Sequence, residues 1–219
     1  MPAQAVLFDI DGTLVDSVDL HARAWQEAFA HFGKQIPFEK VRAQIGKGGD
    51  QLIPVFFPEG PVEEIDRWRS DHFKRSYFHQ VRPFPKVREL FEAILARRIR
   101  IGLASSAKGD ELEHYKRLTK IDDLVQAETS ADDVEKSKPH PDVFEAALKR
   151  LGRDTDPKRV FAVGDTPWDA IAAGKISLRT VGVLCGGFPE ADLRKAGCVS
   201  IYRDPADLLA RLEDSPLLR

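Results

Sequence analysis

Four short apolar runs, each closed at its carboxyl end by polar or glycine residues, most narrow the folds open to this chain. The run 5–8 ends at Asp9, and 99–104 ends at Ser105 and Ser106. The run 160–163 ends at Gly164 and Asp165, and 180–184 ends at Cys185, Gly186 and Gly187. Continuous rather than alternating apolarity suits strands buried on both faces, as in a parallel sheet. Between the runs, Val87, Leu90, Phe91, Ile94 and Leu95 share one helical face, as do Val143, Phe144, Ala147, Leu148 and Leu151. Strand alternating with helix predicts a doubly wound, Rossmann-like α/β domain. Ligands of such sheets gather at the carboxyl ends of the strands. Asp9, Ser105 and Asp165 are thereby expected on one rim.

The segment after the first run reads differently. It carries amphipathic helical patterns around 20–32, 38–45, 51–57 and 65–78, and no clear buried strand. Gly46, Gly48, Gly49, Pro54, Pro58, Gly60 and Pro61 punctuate it. An all-helical insert over 16–85 is expected, within a core made of 1–15 and 86–219. Pro83 and Pro85 mark the return linker.

Composition removes several functional classes. Hydrophobic residues make up 42% of the 219 residues, enough for a buried core. Charged residues make up 31%, the net charge is -2, and basic residues form no block. Nucleic-acid and membrane partners usually require a basic bias, so neither is expected. No apolar stretch is long enough to span a bilayer. The segment 1–8 lacks the basic region of a signal peptide, so a cytoplasmic location is expected. Cys185 and Cys198 are expected to be reduced and structural. A monomer or weak homodimer is expected.

The string Phe8-Asp9-Ile10-Asp11-Gly12-Thr13-Leu14 follows the first strand directly. Two carboxylates at one strand end repel each other, which favours a bound divalent cation. The string resembles the first motif of the haloacid dehalogenase-like phosphatases. Ser105, after Ile101-Gly102-Leu103-Ala104, is similar to their second motif. Lys138, within Lys136-Ser137-Lys138-Pro139-His140-Pro141-Asp142, is similar to the third. Gly164-Asp165-Thr166-Pro167-Trp168-Asp169 is similar to the fourth. Four ordered motifs are far more specific than any one.

The resemblance implies a Mg²⁺-dependent enzyme. Asp9 would be the nucleophile, forming an aspartyl-phosphate, and Asp11 the general acid and base. Asp9 and Asp165 would hold the cation through carboxylates, and Asp11 through its backbone carbonyl. Ser105 would hold a phosphoryl oxygen, Lys138 would supply positive charge to the nucleophile, and Asp169 would brace the site.

The position of the insert resembles the branch containing β-phosphoglucomutase and phosphoglycolate phosphatase, in which a helical cap closes over the site. His21, in His21-Ala22-Arg23-Ala24-Trp25, is similar to a mutase histidine that sets up hydroxyl attack. The stretch Ile45-Gly46-Lys47-Gly48-Gly49-Asp50 resembles the cap loop that reaches the site. Gly49 departs from the arginine that mutases carry near that position. His21, Lys47, Ser106 and Lys108 are the expected substrate-facing residues. The expected reaction is hydrolysis of a small phosphorylated metabolite, such as phosphoglycolate or a sugar phosphate. The alternative is a sugar phosphomutase.

Overall fold

The structure, a computed structural model, describes residues 2–152 and 154–219. Its strands are β1 (Ala5–Phe8), β2 (Val15–Asp16), β3 (Arg82–Pro83), β4 (Arg100–Ala104), β5 (Ala127–Thr129), β6 (Val160–Gly164), β7 (Arg179–Val183) and β8 (Cys198–Tyr202). Six of these form one parallel sheet in the order β5-β4-β1-β6-β7-β8. Its centre is β1, with Phe8 in register with Leu103 of β4 and Val163 of β6. The chain runs outward from β1 in both directions, so the crevice of a doubly wound sheet opens at the end of this strand.

The helices are α1 (Val18–His31), α2 (Phe38–Arg42), α3 (Gly49–Phe56), α4 (Val62–Ser76), α5 (Val87–Ala96), α6 (Gly109–Thr119), α7 (Asp142–Leu151), α8 (Pro167–Gly174), α9 (Glu190–Ala196) and α10 (Pro205–Ala210). Alternate residues of β1 serve opposite faces of the sheet. Val6 and Phe8 join a cluster with Leu90, Phe91 and Ile94 of α5, the rings of Phe8 and Phe91 lying 4.7 Å apart. Ala5 and Leu7 join Val143, Phe144 and Ala147 of α7. A helix on each face leaves no polar side of β1 to face water, which explains its continuous apolar run. Each large side chain buried in this way contributes about 1.5–3 kcal/mol.

The four predicted strands are present, with ends shifted by about one residue. The sheet also contains β5 and β8, its two edges, which the sequence did not signal. β5 has three residues, and β8 is broken by Val199, half-exposed, and by two partly buried residues. Short or half-solvated edge strands lack the apolar run that marks a central strand.

Residues between β2 and β3 form α1 to α4 and a short 3₁₀ turn at Phe78–Gln80. They enclose a separate cluster that includes Trp25, Phe29, Val41, Leu52, Ile53 and Ile65. Where a wholly helical segment and a return linker are expected, the structure adds a ribbon. Val15 pairs with Pro83, and Asp16 with Arg82, antiparallel. Proline is tolerated there because the ribbon has two strands, each with an open edge. Among the described residues, no helix is long and apolar enough to cross a membrane.

Candidate active site

The carboxyl end of β1 delivers Asp9 to the rim, where its backbone N–H donates to Val163 O at 2.9 Å. Lys138, fully buried, places Nζ 2.5 Å from Asp9 Oδ1 and 2.7 Å from Asp169 Oδ1. Burial alone would strip the lysine of its charge. The two carboxylates outweigh it and raise its pKa above the ordinary lysine range. Asp169 is itself fixed by the start of α8. Thr166 Oγ1 accepts from the Asp169 N–H, while Asp169 Oδ2 accepts from Thr166 Oγ1 at 2.6 Å and from its N–H at 3.1 Å. This reciprocal cap, with Pro167 in the first turn, makes the fourth motif a helix start built around a carboxylate.

Asp165 is fully buried at the end of β6. Its Oδ1 accepts from the Thr13 hydroxyl at 3.1 Å, and Thr13 lies 3.3 Å from Asp9 Oδ2 as well. Its Oδ2 is buried and has no hydrogen-bond partner among the described residues. Carboxylate oxygens of Asp9, Asp165 and Asp169 all lie within 4.8 Å of one another. Two glycines leave room around the orphaned oxygen. A Cβ on Gly12, at φ +77°, would sit 2.3 Å from it, and one on Gly186 would sit 1.6 Å away. Clustered hard oxygens in this cradle fit a cation such as Mg²⁺. The carboxylate of Asp11 is outside this cluster.

Burial, with Asp169 and Asp11 adding to it, pushes the Asp9 carboxyl up to about 7 against the pull of Lys138. Burial, Asp9 and Asp169 raise Asp165 well above its usual range. A cation must displace the Asp9 proton, so affinity is expected to rise about tenfold per pH unit below about pH 7. A carboxyl with a raised native pKa holds its proton more tightly when folded. Its stabilisation is complete below about 3.8 and is lost as pH rises through about 7. Chelated protein is therefore expected to melt at a lower temperature at pH 8 than at pH 5, with Mg²⁺ removing the difference. A flat melting temperature across that window in EDTA would refute this.

Asp11 turns toward the insert. Its Oδ1 accepts from the Ser17 hydroxyl at 2.6 Å and lies 3.0 Å from His21 Nε2. Burial would raise its pKa, but His21, Ser17 and Arg69 outweigh burial and hold it below the ordinary range. His21 is buried on α1, stacked 3.9 Å from the Phe73 ring, with Nε2 3.3 Å from the Tyr115 hydroxyl.

The other expected residues divide. Ser105 is fully buried beneath the cavity wall, and its Oγ accepts from the Ala107 N–H at 3.0 Å in the turn leading to α6. Ser106 reaches the wall, its hydroxyl 3.4 Å from Gly46 O. Lys47 also lines the cavity, with Nζ donating to Gln44 Oε1 at 2.6 Å and lying 4.1 Å from the centre of the Trp168 ring. Lys108 lies in an adjoining groove and pairs with Asp66 of α4 at 2.9 Å. Gly49 packs closely against α4, since a Cβ there would come 2.5 Å from Asp66 Oδ1 and would displace that carboxylate. Cys185 and Cys198 are free thiols. Cys185 Sγ lies 3.1 Å from Gly12 O, and burial together with Asp165 raises its pKa, which keeps it unreactive.

Three residues were invisible from sequence. Arg69 and Glu111 line the cavity with Asp9 and Asp11, and Tyr115 backs His21. Arg69 sits in Asp66-Arg67-Trp68-Arg69-Ser70-Asp71, which reads as an ordinary solvated helix face.

A central parallel sheet with carboxylates and a buried lysine at its rim places the chain among α/β proteins with a carboxylate-centred site at the strand ends. A family model described as haloacid dehalogenase-like hydrolase matches residues 6–183, and the chain belongs to that family. It is 26% identical over 217 residues to a phosphorylated carbohydrates phosphatase of Thermotoga maritima, covering 96% of this chain and 99% of that one. It is 25% identical over 185 residues to the pyrophosphatase PpaX of Oceanobacillus iheyensis, covering 84% of each. A solved hydrolase from Pseudomonas syringae superposes with a TM-score of 0.88 at 29% identity, covering 96% of this chain and 98% of that one.

Proposed function

We propose that the chain is a phosphatase that hydrolyses a small phosphate monoester through an aspartyl-phosphate on Asp9. The observation that carries this reading is the buried Lys138–Asp9 pair beside the unpartnered Asp165 oxygen. An anionic nucleophile attacks a phosphate dianion only where fixed positive charge offsets the repulsion. Lys138 provides one such charge. Asp9 and Asp165 would hold a divalent cation, with Asp169 beside them. When bound, that cation supplies further neutralisation of the phosphoryl oxygens.

In the first half-reaction Asp9 forms a bond to phosphorus, and the bond to the leaving oxygen breaks. Asp11 gives that oxygen a proton. The carboxyl of Asp11 is held low by His21 and Ser17. An entering phosphate dianion raises its proton affinity, so the proton is acquired as substrate arrives. In the second half-reaction Asp11 takes a proton from water, which attacks phosphorus and releases Asp9 and inorganic phosphate. Ser106 and the backbone of the turn around Ala107 line the cavity and are assigned to the phosphoryl oxygens. Ser105 is assigned to holding that turn.

Residues 16–85 are read as a cap over the core of 1–15 and 86–219. Contacts at three strand-end loops support this. Ser137 N–H donates to Asp50, Arg42 donates to Gly186 O at 3.0 Å, and Lys108 pairs with Asp66. The cavity between this segment and the sheet rim is about 40 Å³, room for a few waters. Movement of the cap to admit a substrate is part of this reading.

Phosphate release from a panel of phosphorylated metabolites, with Mg²⁺ and with EDTA, tests the reading. Release that requires the cation is expected, and silence across the panel from folded, Mg²⁺-supplied protein would sink it. One observation favours a mutase, namely the contact of His21 with Asp11. Gly49 argues against it, since it stands near the position where mutases carry an arginine. Formation of glucose 6-phosphate from β-glucose 1-phosphate with catalytic bisphosphate would reverse that preference.

A further inference from the structure

Arg69 is more than nine-tenths buried on the wall of the cavity that also holds Asp9 and Asp11, packed 4.7 Å over the Trp25 ring. A guanidinium carries five N–H donors. Here it makes one hydrogen bond at the limit of range, Nη2 to Asp66 Oδ1 at 3.5 Å. Nη1 lies 3.9 Å from Glu111 Oε1, and Nε has no partner among the described residues. Glu111, at the start of α6, is buried on the same wall, and its Oε1 accepts one long hydrogen bond, from Ser70 at 3.4 Å. Buried polar groups are normally satisfied. Two that are short of partners, on the wall of a reaction cavity, await a ligand.

Charge decides which ligand. Arg69 is already offset by Asp66 and Glu111, and Asp66 is paired again with Lys108 at 2.9 Å. These two cations and two anions sum to zero. A second anionic group approaching Arg69 would meet the carboxylates of Asp66 and Glu111, which repel it. A hydroxyl can accept from Arg69 and donate to Glu111 at once.

We propose that Arg69 and Glu111 form a donor–acceptor pair that reads the hydroxyls of a neutral leaving group. The pair turns the site toward sugar or polyol monophosphates, and away from pyrophosphate and from substrates with a second acidic group. This assignment rests on the phosphatase reading above. It sets the chain apart from a relative named for pyrophosphate.

The test compares glucose 6-phosphate, glycerol 3-phosphate, phosphoglycolate, pyrophosphate and p-nitrophenyl phosphate on wild type, Arg69→Gln and Glu111→Gln, each checked for folding by thermal melting. Wild type is expected to favour the two hydroxylated substrates by about tenfold or more in kcat/KM. Arg69→Gln is expected to raise KM for glucose 6-phosphate by about tenfold, with a smaller change in kcat and a smaller loss on p-nitrophenyl phosphate. Glu111→Gln is expected to narrow the gap to pyrophosphate. Pyrophosphate or phosphoglycolate as the best wild-type substrate, or equal losses on all substrates in Arg69→Gln, would overturn the proposal. Absence of Asp9-dependent release from every substrate would instead overturn the phosphatase reading. In that case calorimetric binding of glucose 6-phosphate to Asp9→Asn protein, with and without Arg69→Gln, still decides the role of the pair. Binding indifferent to Arg69 would reject it.

Discussion

Asp9→Asn is expected to lower phosphate release on the order of 10⁵-fold while leaving the fold in place. The amide matches the carboxylate in shape but cannot form the bond to phosphorus, and loss of a nucleophile typically costs this much. The fold should survive because Lys138 keeps Asp169 at 2.7 Å and the amide oxygen can still accept from Lys138. Removing Asp9 also relieves repulsion on Asp165, whose pKa Asp9 raises. Single-turnover release measured beside a melting curve separates the two effects. A variant that keeps more than about a hundredth of the activity would show that another group attacks phosphorus.

Lys138→Met carries the largest expected effect on stability. The lysine is fully buried between Asp9 and Asp169, and methionine leaves both carboxylates buried without their counter-charge. Breaking a buried pair from one side costs about 3–5 kcal/mol. For a chain of this size the melting temperature should fall on the order of 10 °C. The deficit should shrink toward pH 5, where Asp9, titrating at about 7, takes up a proton. It should also shrink with Mg²⁺ at pH 8, since a divalent cation restores positive charge to the same oxygens. A fall below about 2 °C in EDTA at pH 8 would mean that water already solvates the pair.

The central sheet was legible because β1 is buried on both faces and therefore has no polar positions to interrupt its pattern. The edges were not. β8 has half-solvated positions, and β5 is only three residues long. The rim was legible for a different reason: Asp9 and Asp165 directly follow strands, and Lys138 lies four residues before α7, next to Pro139. Arg69 and Glu111 reach the cavity, and Tyr115 backs His21, from the middle or first turn of helices. Their importance depends on how α4 lies across α6, which no local pattern encodes. Ser105 shows the converse. A hydroxyl at a strand end reads as a ligand-binding group, and here its oxygen also accepts from the Ala107 N–H inside its own turn, leaving the O–H to donate. Sequence gives the address of such a residue more readily than the direction its side chain faces.

The ribbon of β2 and β3 brings together two points of the chain separated by the whole helical segment. Paired strands lie about 4.8 Å apart, so the segment leaves and rejoins at almost one spot. For the sheet, it is equivalent to a hairpin turn of arbitrary size. Lengthening such a closed excursion is cheap, about 0.6 kcal/mol for each doubling of a flexible loop. Selection can therefore enlarge, shrink or replace the entire excursion without disturbing the register of Ala5 with Arg100, the pairing that must form across it. On the proposed reading, a sheet rim kept for one chemistry and an interchangeable module above it can thus diverge at different rates.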